Sequence, residues 1–311
     1  MNRRETLRLL AAATGLAAML PRSRASAEEK KVQQPATTPP AIVTLPLVGK
    51  LCLITGAGGN IALLAGDDGS LVVDSGLADL ATGTAAELAK AGPLALLVNT
   101  HWHFDHAGGN ERLARAGARI VATENCRSRL ASEQKVEALA MTFPPAAMSA
   151  RPVVTFTQET TLHLNGERIR LVPIPPAHTD GDVFVRFETA NVLHLGDTFF
   201  HGVYPFIDYS SGGWIGGMVA AVKTALTLTD ATTKIIPGHG AVASQADLKG
   251  YLTFLETAHE RLAKLKAAGK SADEAVAAAP FKDFDEKLGG GFLKPEQFAR
   301  IAYEGLLRHR E

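Results

Sequence analysis

The run Asn99-Thr100-His101-Trp102-His103-Phe104-Asp105-His106-Ala107-Gly108-Gly109-Asn110 places three histidines and an aspartate within six positions, directly after the apolar stretch Leu94 to Val98. Imidazole nitrogens beside a hard carboxylate suit zinc, iron or manganese, and the absence of thiolate argues against copper or an iron-sulfur centre. An apolar stretch of this length reads as a strand whose end presents side chains with period two. His101, His103 and Asp105 are therefore expected on one side of an extended backbone, with His106 turned away. One segment would then serve two metals.

Other potential ligands stand in Gly- or Pro-marked loops further along: Ala177-His178-Thr179, Leu195-Gly196-Asp197 and Pro237-Gly238-His239-Gly240. The elements that must position them follow from the pattern. A β-meander is expected from Leu45 to Asp74, punctuated by Gly56-Ala57-Gly58-Gly59 and Gly66-Asp67-Asp68-Gly69. The first of these reads as a hairpin turn overhanging the site and not a phosphate cradle, because no helix start follows it. Helices are expected over Ala78 to Ala91, Ala107 to Ala116, Glu124 to Leu139, Gly213 to Leu228 and Gln245 to Ala268, with more in Ala272 to Arg310. Strands are expected at Leu94 to Asn99, Arg119 to Ala122, Val183 to Phe187, Asn191 to Leu195 and Lys234 to Ile236. Asn165-Gly166 marks a hairpin between Thr160 to Leu164 and Arg168 to Ile174. Periodicity alone implies an α/β fold with mixed sheets, its ligands gathered from loops at several strand ends.

In residue type, order and spacing, His101-x-His103-x-Asp105-His106, His178, Asp197 and Gly238-His239-Gly240 resemble the metallo-β-lactamase superfamily over roughly residues 42–268. The resemblance implies a four-layer αββα sandwich of two mixed β-sheets. It also implies a ligand set: His101, His103 and His178 for a first metal, Asp105, His106 and His239 for a second, and Asp197 bridging the two. Two zinc ions per chain are the implied cofactor, with iron or manganese as substitutes. Asp197 stands where the best-known zinc β-lactamases have Cys, so the site is similar to that of glyoxalase II. His103 stands where flavodiiron oxidoreductases have Glu, which disfavours that redox chemistry. Asp74, in the Asp-Ser-Gly ending of its strand, is assigned to hydrogen bonding that orients the His-rich loop and not to the metals.

Two cations ~3.5–4 Å apart lower the pKa of a shared water toward neutrality and so supply a hydroxide nucleophile without Ser or Cys. Hydrolysis of an ester, thioester, lactone or β-lactam carbonyl in a small-molecule substrate is the expected reaction. Asp105 is a candidate to orient the nucleophile. The aromatic stretch Thr198 to Asp208 reads either as an apolar substrate wall, with His201 or Tyr204 donating to an oxyanion, or as a packed loop. No Lys or Arg occurs between Asp197 and Trp214 to meet a β-lactam carboxylate, which weakens a β-lactamase proper unless Lys223 or Arg151 folds in. Two other readings compete: a mononuclear iron oxidoreductase resembling persulfide dioxygenases, and a non-catalytic binding module of the cell envelope. His163, His194, His259 and His309 read as structural or solvated.

Residues 1–27 resemble a twin-arginine export signal, with Arg3-Arg4, an apolar segment from Leu9 to Leu20 and Ala25-Ser26-Ala27 before the cleavage point. That segment is short of the ~20 residues of a membrane span. A periplasmic or extracellular protein is expected, with no stable membrane association after cleavage. Polar, Pro-rich residues 28–41 read as a disordered linker, and residues 269–311 as a helical extension packed on the domain. The whole chain has 32 basic and 32 acidic residues; losing five of the former and Glu5 leaves 27 and 31, an excess of four negative charges. No basic surplus remains for nucleic acid. Cys52 and Cys126 leave open a disulfide or two free thiols.

Overall fold

Strand periodicity sorts the apolar side chains into three separate layers. In the computed structural model, which describes residues 41–309, the chain opens with β1 (Val43–Val48), β2 (Leu51–Thr55), β3 (Ile61–Leu64) and β4 (Ser70–Val73). Helix α1 (Ala81–Ala89) leads to β5 (Leu94–Val98), followed by the short helices α2 (Phe104–Ala107) and α3 (Asn110–Arg115). Next come β6 (Arg119–Thr123), α4 (Glu124–Ala131), the hairpin β7 (Gln134–Val136) and β8 (Met141–Phe143), and β9 (Val154–Phe156). The first sheet runs β1-β2-β3-β4-β5-β6-β9, antiparallel up to β4 and parallel from there.

The second sheet is β10 (Thr160–Leu164), β11 (Glu167–Pro173), β12 (Val183–Phe187), β13 (Val192–His194) and β14 (Lys234–Ile236), antiparallel except for the final β13-β14 pair. Helices α5 (Ile215–Thr227), α6 (Gln245–Ala267), α7 (Ala272–Ala277), α8 (Asp285–Leu288) and α9 (Pro295–Arg308) complete the chain. Leu51, Leu53, Leu71, Val73 and Val98 face Leu171, Val183, Val185 and Ile236 between the sheets. Their sequence neighbours Ile54, Val72 and Leu97 point the other way, onto Leu88 of α1 and Leu113 of α3. Across the molecule Phe184, Leu193 and Ile235 meet Met218, Val222, Leu255 and Phe298. Helix, sheet, sheet and helix are thus held by three apolar interfaces. Strands of both sheets are buried on both faces, which is why they read as near-continuous apolar runs.

Two expected elements differ. The helix expected over Glu124 to Leu139 ends at Ala131, where Ser132 turns to β conformation and the β7-β8 hairpin begins. The helix expected from Ala107 to Ala116 is broken at Gly108-Gly109, whose backbones lie against Gly76 and Ser75 with no room for a Cβ. The signal expected over residues 1–27, and all but the last residue of the linker expected over 28–41, lie outside the described residues. No helix among those described is long and apolar enough to cross a membrane. Cys126 is buried, Cys52 is half-buried, and both are free thiols.

Candidate metal centre

Each candidate ligand leaves a strand end or its following loop, where the sheets fix the backbone. After β5 the chain stays extended only as far as His103; the carbonyl of His103 then accepts from His106 N at 3.0 Å and Ala107 N at 2.8 Å, opening α2. Asp105 and His106 therefore sit on a helical turn. The expected period-two arrangement stops at His103, because the one-turn helix bends the chain back and delivers all four side chains to one centre.

The ligand atoms fall into two groups, each within 4.8 Å: His101, His103, His178 and Asp197, then Asp105, His106 and His239. Asp197 joins them. Its Oδ1 lies 3.0 Å from His106 Nε2 and 3.5 Å from His239 Nε2, while its Oδ2 lies 3.5 Å from His178 Nε2 and 3.9 Å from His101 Nε2. His239 Nε2 also approaches Asp105 Oδ2 at 3.1 Å. His101 Nε2 and Asp197 Oδ1 are buried without any hydrogen-bond partner. Unsatisfied buried lone pairs are costly unless something fills the space they face. Five imidazoles and two carboxylates with two such orphans form a donor set that fits divalent cations.

A surrounding set of bonds aims these rings. Asp74 accepts from Thr100 N and Thr100 Oγ1 at 2.7 Å each, and His106 Nδ1 lies 2.8 Å from its Oδ2, which directs His106 Nε2 into the centre. Asp74 holds this position from a left-handed backbone, φ 66°, uncommon for a residue with a side chain. His178 Nδ1 bonds the carbonyl of Phe206 at 2.9 Å, and Asp182 fastens the loop by accepting from His178 N and Thr179 N. Gly59 and Gly238 are small out of necessity: a Cβ would stand 2.2 Å from the His106 ring and 1.9 Å from Asp197 Oδ1. Asp182 stands four residues after His178 in the same loop, whereas Asp208, which bonds His103 from 105 positions away, reaches the histidines only through folding.

The two groups differ in charge. Burial pushes His178 down to about 4, and burial with the neighbouring His106 holds His101 well below the ordinary imidazole range. In the other group burial opposes protonation too, yet Asp197, Asp105 and Asp74 outweigh it at His106, and Asp197 and Asp105 lift His239 to about 9. His101 and His178 thus offer neutral nitrogens, whereas His106 and His239 are held as protonated rings against carboxylates.

A family model described as the metallo-beta-lactamase superfamily matches residues 54–246. The chain belongs to that superfamily. It is 28% identical over 206 residues to acyl-coenzyme A thioesterase MBLAC2 of Gallus gallus, covering 58% of this chain and 72% of that one. It is 29% identical over 111 residues to the hydroxyacylglutathione hydrolase of Gloeobacter violaceus, covering 35% of this chain and 36% of the other. Among solved structures, the metallo-beta-lactamase from Pontibacter korlensis superposes with a TM-score of 0.57 at 19% identity, covering 69% of this chain and 99% of that one. The DIM-1 metallo-beta-lactamase does so with 0.57 at 22%, covering 70% and 99%. These likenesses establish the metallo-β-lactamase fold.

Beside the centre of this metallo-β-lactamase-superfamily chain lies a cavity of ≈ 300 Å³. Gly58 of the β2-β3 turn overhangs it, and Asp105, Asp197, His103 and His239 form its polar floor. Leu77, Val136, Leu139, Phe200, Phe206 and Phe292 are among its apolar walls. The aromatic stretch after Asp197 thus contributes Phe200 and Phe206. It does not contribute Tyr204. That side chain is buried against Phe298, their rings stacked at 4.7 Å, and its hydroxyl donates to Asp285 Oδ1 at 2.7 Å and to the Phe281 carbonyl. The oxyanion role expected for Tyr204 would need this hydroxyl at the cavity, whereas the structure keeps it in the helical layer, bonded to Asp285 and the Phe281 carbonyl. His201 turns to the Ala241 carbonyl, outside the lining. Lys223 pairs with Glu256 and Arg151 bonds the Ala146 carbonyl, so neither enters the cavity.

Proposed function

We propose that this protein is an exported hydrolase that uses two zinc ions to cleave a carbonyl substrate, an ester, thioester or lactone. The bridging placement of Asp197, one oxygen toward each histidine group, carries the reading. Two divalent cations bound there would supply the charge that activates water and polarises a carbonyl. His101, His103 and His178 would hold the first, and Asp105, His106 and His239 the second. Asp105, lining the cavity and 3.1 Å from His239 Nε2, is placed to accept a proton and orient the attacking water. The thioesterase and hydroxyacylglutathione hydrolase relatives, named for thioester-type substrates, support the reaction class.

The complete second group speaks against a single-iron centre, and the lack of Lys or Arg in the lining speaks against β-lactam carboxylates. The deciding experiment offers zinc-reconstituted protein an aryl ester, lactoylglutathione, a homoserine lactone and nitrocefin in parallel, with oxygen uptake on a persulfide as control. Turnover of an ester, thioester or lactone without oxygen uptake is expected. Oxygen uptake by protein carrying one iron would replace this reading with the dioxygenase one, and no turnover by fully loaded protein would favour a binding module. The export part predicts that the chain fractionates with the bacterial periplasm or medium.

A further inference from the structure

The roof of the cavity comes from outside the residues that define the family. Residues 54–246 match the superfamily model, whereas Phe292 lies in the turn between α8 and α9. Its side chain is 60% exposed yet lines the cavity, with its ring 6.4 Å from that of Phe206. Burial in the core does not account for a large aromatic held in this way.

The turn is fastened in place. Tyr204 N donates to the Leu288 carbonyl at 3.1 Å, Tyr204 hydroxyl donates to Asp285, and Gly291 sits against Val203, where an added Cβ would come within 2.8 Å. Val136 and Leu139 from the β7-β8 hairpin region line the same cavity, as do Leu77 and Phe200, whose ring stacks on His239. The lining holds no Lys or Arg, and its carboxylates are Asp105 and Asp197. An anionic substrate tail lying along the apolar walls would lose water and meet no Lys or Arg there, while an aliphatic one would gain from burial.

We infer that the cavity selects carbonyl substrates with an uncharged apolar acyl chain of a few carbons, and that Phe292 is a specificity-determining residue. This rests on the hydrolase reading above. The cavity volume, at the low end of the ~300–1,000 Å³ of small-molecule sites, suits a short to medium chain.

The test measures kcat/KM of the zinc-reconstituted full chain on p-nitrophenyl acetate, butyrate, hexanoate, 4-methylpentanoate and hemisuccinate. The last two match in shape and differ in charge. Each methylene that enters an apolar wall is worth up to about fourfold, so hexanoate is expected to exceed acetate by about tenfold or more. Hemisuccinate is expected to fall about tenfold or more below 4-methylpentanoate, because its carboxylate is desolvated along apolar walls that carry no Lys or Arg. Phe292→Ala should cut the hexanoate-to-acetate ratio by about threefold or more, and Phe292→Leu should restore most of it, since leucine recovers much of the lost apolar area. Phe292 is too exposed for either change to threaten folding. A flat series, a hemisuccinate rate equal to that of its neutral partner, or an unchanged ratio in Phe292→Ala would overturn this inference and leave the hydrolase intact. Failure to cleave any of the five by protein that turns over lactoylglutathione or a homoserine lactone would overturn this inference alone, and failure on all of them would overturn the hydrolase reading with it.

Discussion

Nε2 of His103 lies 3.0 Å from Oδ2 of Asp208, while Nδ1 of the same ring faces His178 Nε2 at 2.9 Å. The carboxylate accepts a hydrogen bond from Nε2–H, so the Nδ1 lone pair is left pointing at the centre. Asp208 is itself held by Ser211 Oγ at 2.6 Å and Ser210 N at 2.9 Å. Burial is the largest single influence and works against its ionisation, but the bonds from His103 and Ser211 together with the nearby His103 and His178 outweigh it and hold it at about 2. Asp208→Ala is expected to weaken zinc binding at the first group by about 10–100-fold, read by competition with a chromophoric chelator. Asp208→Asn, which can still accept through its amide oxygen, should lose less. Equal affinities in all three proteins would show that Asp208 does not orient the ring.

The charge contrast between the two groups predicts stepwise metal loss with pH. His178 near 4 and His101 below the ordinary range stay neutral as the medium is acidified, so these two rings of the first group keep their lone pairs. His106 and His239, raised by their carboxylates, must each give up a proton before binding; for His239 that cost grows as pH falls below about 9, and His106 adds to it. Dialysis at about pH 8 should leave about two zinc ions per chain, and at about pH 5.5 about one. Metal analysis of the dialysed protein checks this; simultaneous loss of both ions would contradict it.

Tyr204→Phe separates the two roles open to that residue. The hydroxyl bonds Asp285 and the Phe281 carbonyl in the helical layer, so its loss is expected to cost about 1 kcal/mol of stability and to leave kcat/KM for an aryl ester within about twofold. Thermal unfolding and steady-state rates give both values. A large loss of activity at unchanged stability would return Tyr204 to the reaction.

Asp182 predicts the opposite pattern. Removing its carboxylate strands the buried donors His178 N, Thr179 N and Thr179 Oγ1. Asp182→Ala should therefore lower stability by about 1–3 kcal/mol and loosen His178, weakening zinc at the first group. An unaltered melting temperature would count against this anchoring role.

How far these features can be read without a structure differs by residue. His101, His103, Asp105, His106, His178, Asp197 and His239 are recognisable because each loop carries its own Gly, Pro or His mark and follows an apolar run. The strands are legible for the same reason: residues buried on both faces leave long apolar stretches. Three features escape local pattern. The β7-β8 hairpin lies in a stretch, Gln134 to Phe143, whose Lys, Glu and Ala suit a helix and whose pairing is decided by tertiary contacts. The place of Tyr204 depends on Asp285, eighty-one positions away. Asp208 and Phe292 meet the site only through folding, since neither stands beside a ligand in sequence.

The bridging position of Asp197 is tested most directly by metal content measured together with rate. The full chain is stripped with chelator, titrated with zinc and followed on an aryl ester, beside Asp197→Ala treated in the same way. Zinc should bind at about two equivalents per chain, with activity appearing as the second group fills and Asp197→Ala failing to retain both ions. Full activity in the stripped protein, or in Asp197→Ala with a single ion, would contradict a two-metal centre built around that residue.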